Sequence, residues 1–329
     1  MIFRPTINDT ITIEGRQYRF VEHPSAPGMV YAQQGRRATV YKLVDSSETV
    51  KALKVFLPHF REPRLIRVVQ CLQPYASLPG LQACERMVLT TGKHGELLKT
   101  YPDLDYAFVM PCVDGPTWME TILGRDVLAP ERSIKLAHGL ARLLVSMEEQ
   151  GLAHCDISGT NIILAPNNGK LALIDLEEMF GPDFQKPEEL SSGSSGYGHA
   201  SIARGVWDAQ GDRFAGAVVL AEILGWCEAA IRDASWDESY FDPKDIHQKG
   251  DRYTRLFNVL SQRWGGGVAA LFERAWTSKT LAECPTFAEW LVALPQETPV
   301  VIAADREAPL YPPGPIHSLC SRSPTQMLN

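Results

Sequence analysis

The residues with the clearest chemical potential lie in two short segments near the middle of the chain. The first runs from His154 to Asn161 and contains the carboxylate of Asp156, five residues before the carboxamide of Asn161. The second contains Asp175, which follows a short apolar run. Such side chains, placed before and after a hairpin, can point into one cleft. There, one carboxylate can orient an attacking hydroxyl while the amide and the other carboxylate hold a divalent cation, which suits phosphoryl transfer.

The same residue types also have a purely structural interpretation. Asp and Asn are common in turns because their side chains bond to nearby backbone groups. Either Asp156 or Asn161 taken alone is typical of a turn residue. The order and spacing of Asp156, Asn161 and Asp175 together favour the catalytic interpretation.

The elements that must position these residues change type along the chain. Before Gly115, runs rich in β-branched and aromatic residues predict strands, and one segment predicts a helix. The predicted strands cover 17–22, 29–33, 37–44, 50–56, 86–89 and 106–110, and the predicted helix covers 62–75.

After Gly115, apolar residues recur at steps of three and four and predict helices. The first begins at Pro130 and stops near Gly151, and others cover 212–226, 267–276 and 287–294. Two short apolar runs, 161–164 and 171–174, flank Asn167-Asn168-Gly169, which predicts a β-hairpin turn between them.

This change of pattern predicts an α+β fold of two lobes with a ligand cleft between them. A β-rich N-terminal lobe covers 1–114 and a larger, mainly helical lobe covers 115–298. The remainder, 299–329, is rich in proline without periodicity and is interpreted as a linker or a disordered tail.

Composition argues against three classes of protein: nucleic-acid binders, membrane-spanning proteins and secreted proteins. The 329 residues carry a formal charge of -7, which argues against a nucleic-acid binder. The most apolar stretch, 214–226, is too short to span a bilayer, and residues 1–9 lack the apolar core of a signal peptide. The seven cysteines include no C-x-x-C pair, so a reducing cytoplasm is expected. The composition does not indicate an oligomeric state.

The segment H-C-D-I-S-G-T-N at 154–161 resembles the catalytic loop of the protein kinase superfamily, H-x-D-x-x-x-x-N. Within that superfamily, the chain resembles bacterial Ser/Thr kinase-like proteins. In that family a metal-binding aspartate follows on a short hairpin, as Asp175 does here. The resemblance implies a bilobal kinase-like fold and ATP as the phosphoryl donor. It implies Asp156 as the catalytic base or hydroxyl-orienting group, and Asn161 and Asp175 as Mg²⁺ ligands.

Further kinase-like positions lie upstream in the expected order. The segment V-K-A-L-K at 50–54 is similar to the kinase strand V-A-I-K, which implies Lys54 as the phosphate-contacting lysine. The segment around Gly35 and Val40 aligns with the nucleotide loop G-x-G-x-x-G-x-V, although Gly35 is the one loop glycine retained. The resemblance places Met110 and Cys112 in the crossing strand whose backbone would contact adenine.

Downstream, Asp212 matches an aspartate that supports the catalytic loop in the family, and it is also a candidate helix N-cap. The Ser- and Gly-containing stretch within 178–200 stands where kinases have the activation segment and predicts a mobile loop. Either Glu62, on the predicted helix, pairs with Lys54, or another group takes that place, and Glu62 is the preferred partner.

Beyond the nucleotide loop, three positions in and near the catalytic loop depart from the family pattern. Cys155 replaces the loop arginine, Ser158 replaces the loop lysine of Ser/Thr kinases, and Glu177 replaces the glycine of D-F-G. The expected function is an ATP-dependent Ser/Thr protein kinase. These departures keep two alternatives open: a pseudokinase scaffold that acts by binding partners, and a kinase for small-molecule hydroxyls, which Ser158 favours and the helix beginning at Asp212 disfavours.

Overall fold

A computed structural model describes residues 3–165, 170–188, 190, 193–202 and 205–296 of the chain. The hairpin turn predicted at 167–169 and the tail predicted at 299–329 lie outside the described residues.

The N-terminal part is a curled antiparallel sheet with two helices. The strands and helices are β1 (Thr10–Ile13), β2 (Arg16–Phe20), β3 (Glu22–His23), β4 (Ala26–Val30), β5 (Ala32–Gln34), β6 (Ala38–Asp45), β7 (Val50–Phe56), α1 (Arg64–Leu72), β8 (Met87–Val88), α2 (Thr91–Thr100) and β9 (Phe108–Pro111). The main sheet has the order β1-β2-β6-β7-β9-β8, with β5 also paired to β6, and β3 and β4 form a separate hairpin.

The two central strands, β6 and β7, form because their residues suit a sheet that is largely buried on both faces. Val, Leu, Tyr and Phe dominate both strands, and the last five residues of β7 are all buried. Asp45 ends β6, and its carboxylate accepts hydrogen bonds from the backbone amides of Ser47 and Thr49. This turn sets the register in which Val40 pairs with Lys54.

The C-terminal part is mainly helical. It contains α3 (Trp118–Gly124), α4 (Pro130–Glu149), the short hairpin of β10 (Ile162–Leu164) and β11 (Leu171–Leu173), α5 (Arg213–Gly225), α6 (Ala229–Asp233), α7 (Asp251–Trp264), α8 (Gly266–Thr277) and α9 (Phe287–Ala293). Every residue of α5 after Arg213 is buried, so α5 is the central helix, and α4, α7 and α8 pack around it.

A short crossing joins the two parts between β9 and α3. Gly115 lies on this crossing with φ of 132°, a backbone conformation that favours glycine. A side chain there would also collide with the carbonyl oxygen of Leu164 on β10. The crossing therefore passes directly against the hairpin that follows the 154–161 segment.

The expected mixed α+β class is confirmed, whereas several elements differ from the sequence prediction. Helix α2 was not predicted, because Gly92 and Gly95 lower its helix propensity. Strand β1 and helices α3 and α7 were likewise not predicted. Within the described residues, no helix combines the length and apolar character needed to cross a membrane.

Candidate functional site

A cavity of about 950 Å³ lies between the sheet and the helical part. It is lined by every site residue predicted from the sequence: Gly35, Val40, Lys54, Met110, Cys112, Asp156, Asn161 and Asp175. Residues from segments more than a hundred positions apart therefore meet around one space large enough for a small ligand.

Asp212, at the start of α5, holds the segment that carries Asp156 through backbone hydrogen bonds. The Asp212 carboxylate accepts hydrogen bonds from the backbone amides of His154 at 2.6 Å and Cys155 at 2.8 Å. It makes no side-chain cap hydrogen bond to its own helix, so its carboxylate serves the 154–161 segment instead. Burial raises the pKa of Asp212, while the nearby His154 ring and these two amides act in the opposite direction.

The imidazole of His154 connects this segment to the residue before Asp175. Its Nδ1 accepts a hydrogen bond from the backbone amide of Asp156 at 3.3 Å, so Nε2 carries the proton and donates to the Ile174 carbonyl at 2.8 Å. His154 is fully buried. One side chain thus fixes the spacing between the backbones that carry Asp156 and Asp175.

Asn161 is buried and oriented by a second local hydrogen bond. Its amide nitrogen Nδ2 donates to the backbone carbonyl of Asp156 at 2.8 Å. The amide oxygen Oδ1 is therefore the atom available as a metal ligand, and its one hydrogen bond from the described residues, donated by the Thr160 hydroxyl, is long at 3.4 Å. Asp175 adopts a left-handed backbone conformation with φ of 65°.

Lys54 is buried, and two carboxylates from the helical part hold its ammonium group. Its Nζ contacts Asp175 Oδ1 and lies 2.7 Å from Glu177 Oε2. The expected pairing of Lys54 with Glu62 is wrong. Glu62 lies ahead of the first residue of α1, and its carboxylate pairs with the neighbouring Arg64 at 3.2 Å.

Glu177, expected from the sequence to add a carboxylate near the metal, links Lys54 to Arg86, a residue that the sequence did not indicate. One carboxylate oxygen contacts Lys54, and the other accepts a hydrogen bond from Arg86 Nη1 at 2.7 Å. The Arg86 side chain is completely buried, donates from Nε to the Ala83 carbonyl and stacks over the Phe108 ring. The substitution of the D-F-G glycine by glutamate was the available signal for Glu177, whereas Arg86 belongs to no recognised motif.

This charge cluster determines the ionisation of its members. Burial would lower the pKa of Lys54, but Asp175 and Glu177 outweigh that effect and raise it. Partial desolvation would raise the pKa of Asp175, yet the Lys54 ammonium and hydrogen bonds involving Glu177 and Lys54 hold it well below its ordinary value. Because the Asp175 side chain is 51% exposed, it remains open to a ligand in the cavity.

The nucleotide-loop candidate is a tight turn between β5 and β6. The Gly35 amide donates to the Ala38 carbonyl at 2.8 Å, and a side chain added at Gly35 would meet that oxygen at an ordinary 3.5 Å. Arg37 in the same turn forms an ion pair with Glu178. The turn is therefore tied to the segment that follows Asp175.

The crossing-strand candidates line the cavity at the end of β9. Met110 pairs with Ala52 of the neighbouring strand β7, and the Cys112 amide makes a long hydrogen bond of 3.4 Å to the Val50 carbonyl. The pairing places both residues beside the strand that carries Lys54.

The Asp156 carboxylate has a neighbour that the sequence did not predict. Both the backbone amide and the hydroxyl of Ser194 donate to Asp156 Oδ1, each at 3.1 Å. Only the composition of the stretch within 178–200 was available from the sequence, and composition does not specify which serine lies at the carboxylate.

The donor set formed by Asn161 and Asp175 fits Mg²⁺. Magnesium is commonly held by one or two protein oxygen ligands together with substrate phosphates and water. An amide oxygen and a half-exposed carboxylate at one cavity satisfy the protein's share of such a site. No cluster of three or more His, Cys, Asp or Glu side chains suited to a metal occurs in the described part of the chain.

Comparison with family models and with curated proteins identified no relative of this chain. No family model matches the chain, and no curated protein is significantly similar to it.

Proposed function

We propose that this chain is an ATP-dependent phosphotransferase with a bilobal, protein-kinase-like architecture, acting on a serine or threonine hydroxyl of a protein. The observation that carries the proposal is the meeting of Lys54, Asp156, Asn161 and Asp175 around one cavity. They come from strand β7, the 154–161 segment and the end of the β10–β11 hairpin, and His154 and Asp212 hold the backbones that carry Asp156 and Asp175. A merely structural role for these polar residues would not require them to share a cavity.

The proposed reaction assigns each side chain one task. Asp156 accepts a hydrogen bond from the acceptor hydroxyl, aims its oxygen at the γ-phosphorus of ATP, and takes the hydroxyl proton as the bond to phosphorus forms, later passing it to solvent. The acceptor oxygen forms a bond to phosphorus, the bond from phosphorus to the β–γ bridging oxygen breaks, and ADP leaves with that electron pair. Lys54 places its ammonium group near the phosphate oxygens.

Asn161 Oδ1 and the Asp175 carboxylate would hold Mg²⁺, which when bound neutralises phosphate charge. Asp175 is already ionised beside Lys54, because its pKa is held well below the ordinary value. The carboxylate therefore needs no proton loss near neutral pH before it can ligate a cation.

A peptide hydroxyl is favoured over a small-molecule hydroxyl by the contact at Asp156. Ser194, part of a folded peptide segment, brings its hydroxyl within 3.1 Å of Asp156 Oδ1. The site therefore accommodates a peptide segment beside the carboxylate. The net charge of -7 also fits a protein substrate better than a nucleic acid.

A second candidate function, a nucleotide-responsive scaffold, is favoured by the partners of the two carboxylates. Ser194 engages Asp156, and Lys54 engages Asp175. In such a scaffold, these contacts would be permanent rather than exchanged for substrate.

The six described cysteines are free thiols. Free thiols are the expected state in a reducing compartment, which supports a cytoplasmic location.

The test is phosphoryl transfer from γ-labelled ATP with Mg²⁺ to casein as a generic acceptor. Asp156→Asn should lower the rate by about 100-fold or more, because general-base catalysis is worth that much. Asp175→Asn should abolish Mg²⁺-dependent transfer. Asp233→Asn is the matched control, since Asp233 is exposed and does not line the cavity.

Transfer by the wild type that both cavity variants lose, and that Asp233→Asn retains, would support the kinase proposal. ATP-dependent thermal stabilisation without any transfer would favour the scaffold. If neither transfer nor nucleotide binding occurs, both proposals are wrong.

A further inference from the structure

Two cations of the N-terminal part meet one buried carboxylate of the helical part. Glu177 Oε2 lies 2.7 Å from Lys54 Nζ, and Glu177 Oε1 lies 2.7 Å from Arg86 Nη1. The Arg86 side chain is completely buried, and 9% of the Glu177 side chain is exposed. Each carboxylate oxygen therefore holds one cation in a place that solvent barely reaches.

The position of Arg86 is set by the strand pairing that also sets the position of Lys54. Strand β9 pairs on both sides, so that Phe108 lies opposite Lys54 of β7 and opposite Val88 of β8. Arg86 comes two residues before Val88, and its guanidinium carbon lies 5.3 Å from the centre of the Phe108 ring. Its Nε donates to the Ala83 carbonyl at 2.6 Å. The guanidinium is thus fixed relative to the strand that carries the lysine.

Helix α1, where an acidic partner of Lys54 was expected, supplies none. Its nine residues, Arg64–Leu72, include no Asp or Glu. Glu62, just ahead of the helix, pairs with Arg64 at 3.2 Å, and Arg64 Nη1 donates to the backbone carbonyl of Glu177 at 3.3 Å. The helix therefore approaches Glu177 with a cation, and the acid that holds the lysine comes from the helical part.

Stability alone does not explain the burial of this arginine. A buried ion pair is often no more stabilising than apolar residues of similar volume, because both charges lose their hydration. A buried pair can instead fix one arrangement of the groups around it. Here, the arrangement includes the ammonium group of Lys54 at the cavity assigned to the nucleotide.

We propose that Arg86 is a positioning residue for phosphoryl transfer: through Glu177, it holds the Lys54 ammonium and takes over the task expected of helix α1. This inference rests on the proposed function, in which Lys54 approaches the phosphate oxygens and Asp175 is a candidate Mg²⁺ ligand. Because Glu177 shares the ammonium, the half-exposed Asp175 keeps an oxygen available for the cation.

The role of Glu177 predicts a change in the Mg²⁺ requirement. Neutralising it would leave Lys54 with Asp175 as its carboxylate partner among the described residues. The ammonium would then compete with Mg²⁺ for Asp175. Since a hydrogen bond between charged groups changes an equilibrium constant by about tenfold or more, the Mg²⁺ concentration for half-maximal nucleotide binding should rise by about that factor.

The test compares full-length variants in two measurements. Calorimetry of ADP binding over a series of Mg²⁺ concentrations reports the Mg²⁺ requirement without turnover, and transfer from γ-labelled ATP to casein reports kcat. Glu177→Gln should raise the Mg²⁺ requirement about tenfold. Arg86→Met should lower kcat by about tenfold or more, because a carboxylate that is no longer held misplaces the lysine. Arg86→Lys, which keeps the charge, should lose less than Arg86→Met.

The double variant Arg86→Met/Glu177→Gln separates positioning from folding. It removes both buried charges, so it should be more stable to urea than Glu177→Gln alone. If the pair merely supports the fold, kcat and the Mg²⁺ requirement should return toward the wild-type values together with the stability. Positioning predicts instead that both stay impaired although the stability recovers, and their return would overturn the proposal.

Two further variants test which part of the chain holds the lysine. Glu85→Gln is the matched control, because Glu85 is exposed, precedes the arginine and pairs with Lys51 of β7 at 3.6 Å. It should behave like the wild type. Glu62→Gln should also leave kcat and the Mg²⁺ requirement unchanged. A loss equal to that of Glu177→Gln would mean that the acid next to α1 holds the lysine, and the proposal would be wrong.

The outcomes distinguish this proposal from the proposed function. Transfer by the wild type, with kcat and the Mg²⁺ requirement unchanged in every variant, would overturn the positioning role and leave the kinase proposal standing. If the wild type binds ADP but transfers nothing, the kinase proposal fails. The Mg²⁺ requirement of Glu177→Gln then decides the placement of Lys54: a tenfold rise supports it, and an unchanged value overturns it. If ADP does not bind, both proposals are wrong.

Discussion

The substitution Glu177→Gln tests how the buried lysine of the cavity is held. Glutamine keeps the shape of the side chain but removes the charge that lies between Lys54 and Arg86. Lys54 would retain Asp175, whereas Arg86 would lose the carboxylate that it has among the described residues while its side chain stays fully buried. The perturbation therefore leaves one buried cation without a counter-charge.

The magnitude follows from the burial of the groups. Breaking a buried ion pair by neutralising one partner costs about 3–5 kcal/mol, because the remaining charge stays desolvated. Glutamine can still accept one hydrogen bond from Arg86, which places the expected loss near the lower end, about 3 kcal/mol. For a protein of 329 residues, such a loss lowers the melting temperature by about 4 °C.

The assay is urea unfolding, with the free energy of unfolding extrapolated to water at an unchanged denaturant slope. Glu273→Gln is the matched control, because it neutralises an exposed partner of Lys249 and should cost about 1 kcal/mol or less. Equal losses in Glu177→Gln and Glu273→Gln would refute the reasoning. Adding Arg86→Met to Glu177→Gln should recover part of the loss, since the uncompensated cation is then gone.

Three further predictions concern the supports of the cavity. Asp212→Asn should cost about 2 kcal/mol in urea unfolding and lower phosphoryl transfer, because an amide group cannot accept both backbone hydrogen bonds that Asp212 now accepts. Burial raises the pKa of Glu222 from 4.5 to about 7. Since the folded state then holds a proton that the unfolded state has lost, stability should fall by about 3 kcal/mol between pH 4.5 and pH 7 and level off above. The measurement is the unfolding free energy of the wild type and of Glu222→Gln at pH 5 and pH 8. The contribution of Glu222 to the fall in stability should be present in the wild type and absent from the variant. Gly115→Ala should lower the melting temperature markedly, because φ is positive and the added carbon meets the Leu164 carbonyl, whereas Gly35→Ala should change it little.

The local pattern of apolar residues was sufficient to predict the strands and helices that carry the site. The β-branched and aromatic runs predicted β6 and β7, and the three-four periodicity after Pro130 predicted α4, because both signals reflect burial along one short stretch. The continuous apolar run of α5 predicted a buried helix for the same reason. Helix α2 was missed because its stability depends on packing against the sheet rather than on propensity.

The partners within the site were harder to predict than the site residues themselves. Lys54 and Glu177 are 123 positions apart, so no local pattern connects them. Glu62 is the one acid in the predicted helix 62–75, yet it lies outside α1 and pairs with Arg64. The contact of Ser194 with Asp156 likewise depends on where Tyr197 is buried, which is a property of the assembled core.

The origin of the charges around Lys54 has a consequence for ligand binding. Lys54 and Arg86 belong to the N-terminal part, and Asp175 and Glu177 to the helical part, so the same contacts that ionise the site also fasten the two parts together. A phosphate group that binds Lys54 weakens the contacts of Lys54 with Asp175 and Glu177, and with them the contact between the two parts. The binding free energy of a nucleotide is then the free energy of the contacts that it forms less the free energy of the contacts that it displaces. A nucleotide would therefore act as a competitor at an internal junction, and its arrival would be coupled to how far the cavity opens.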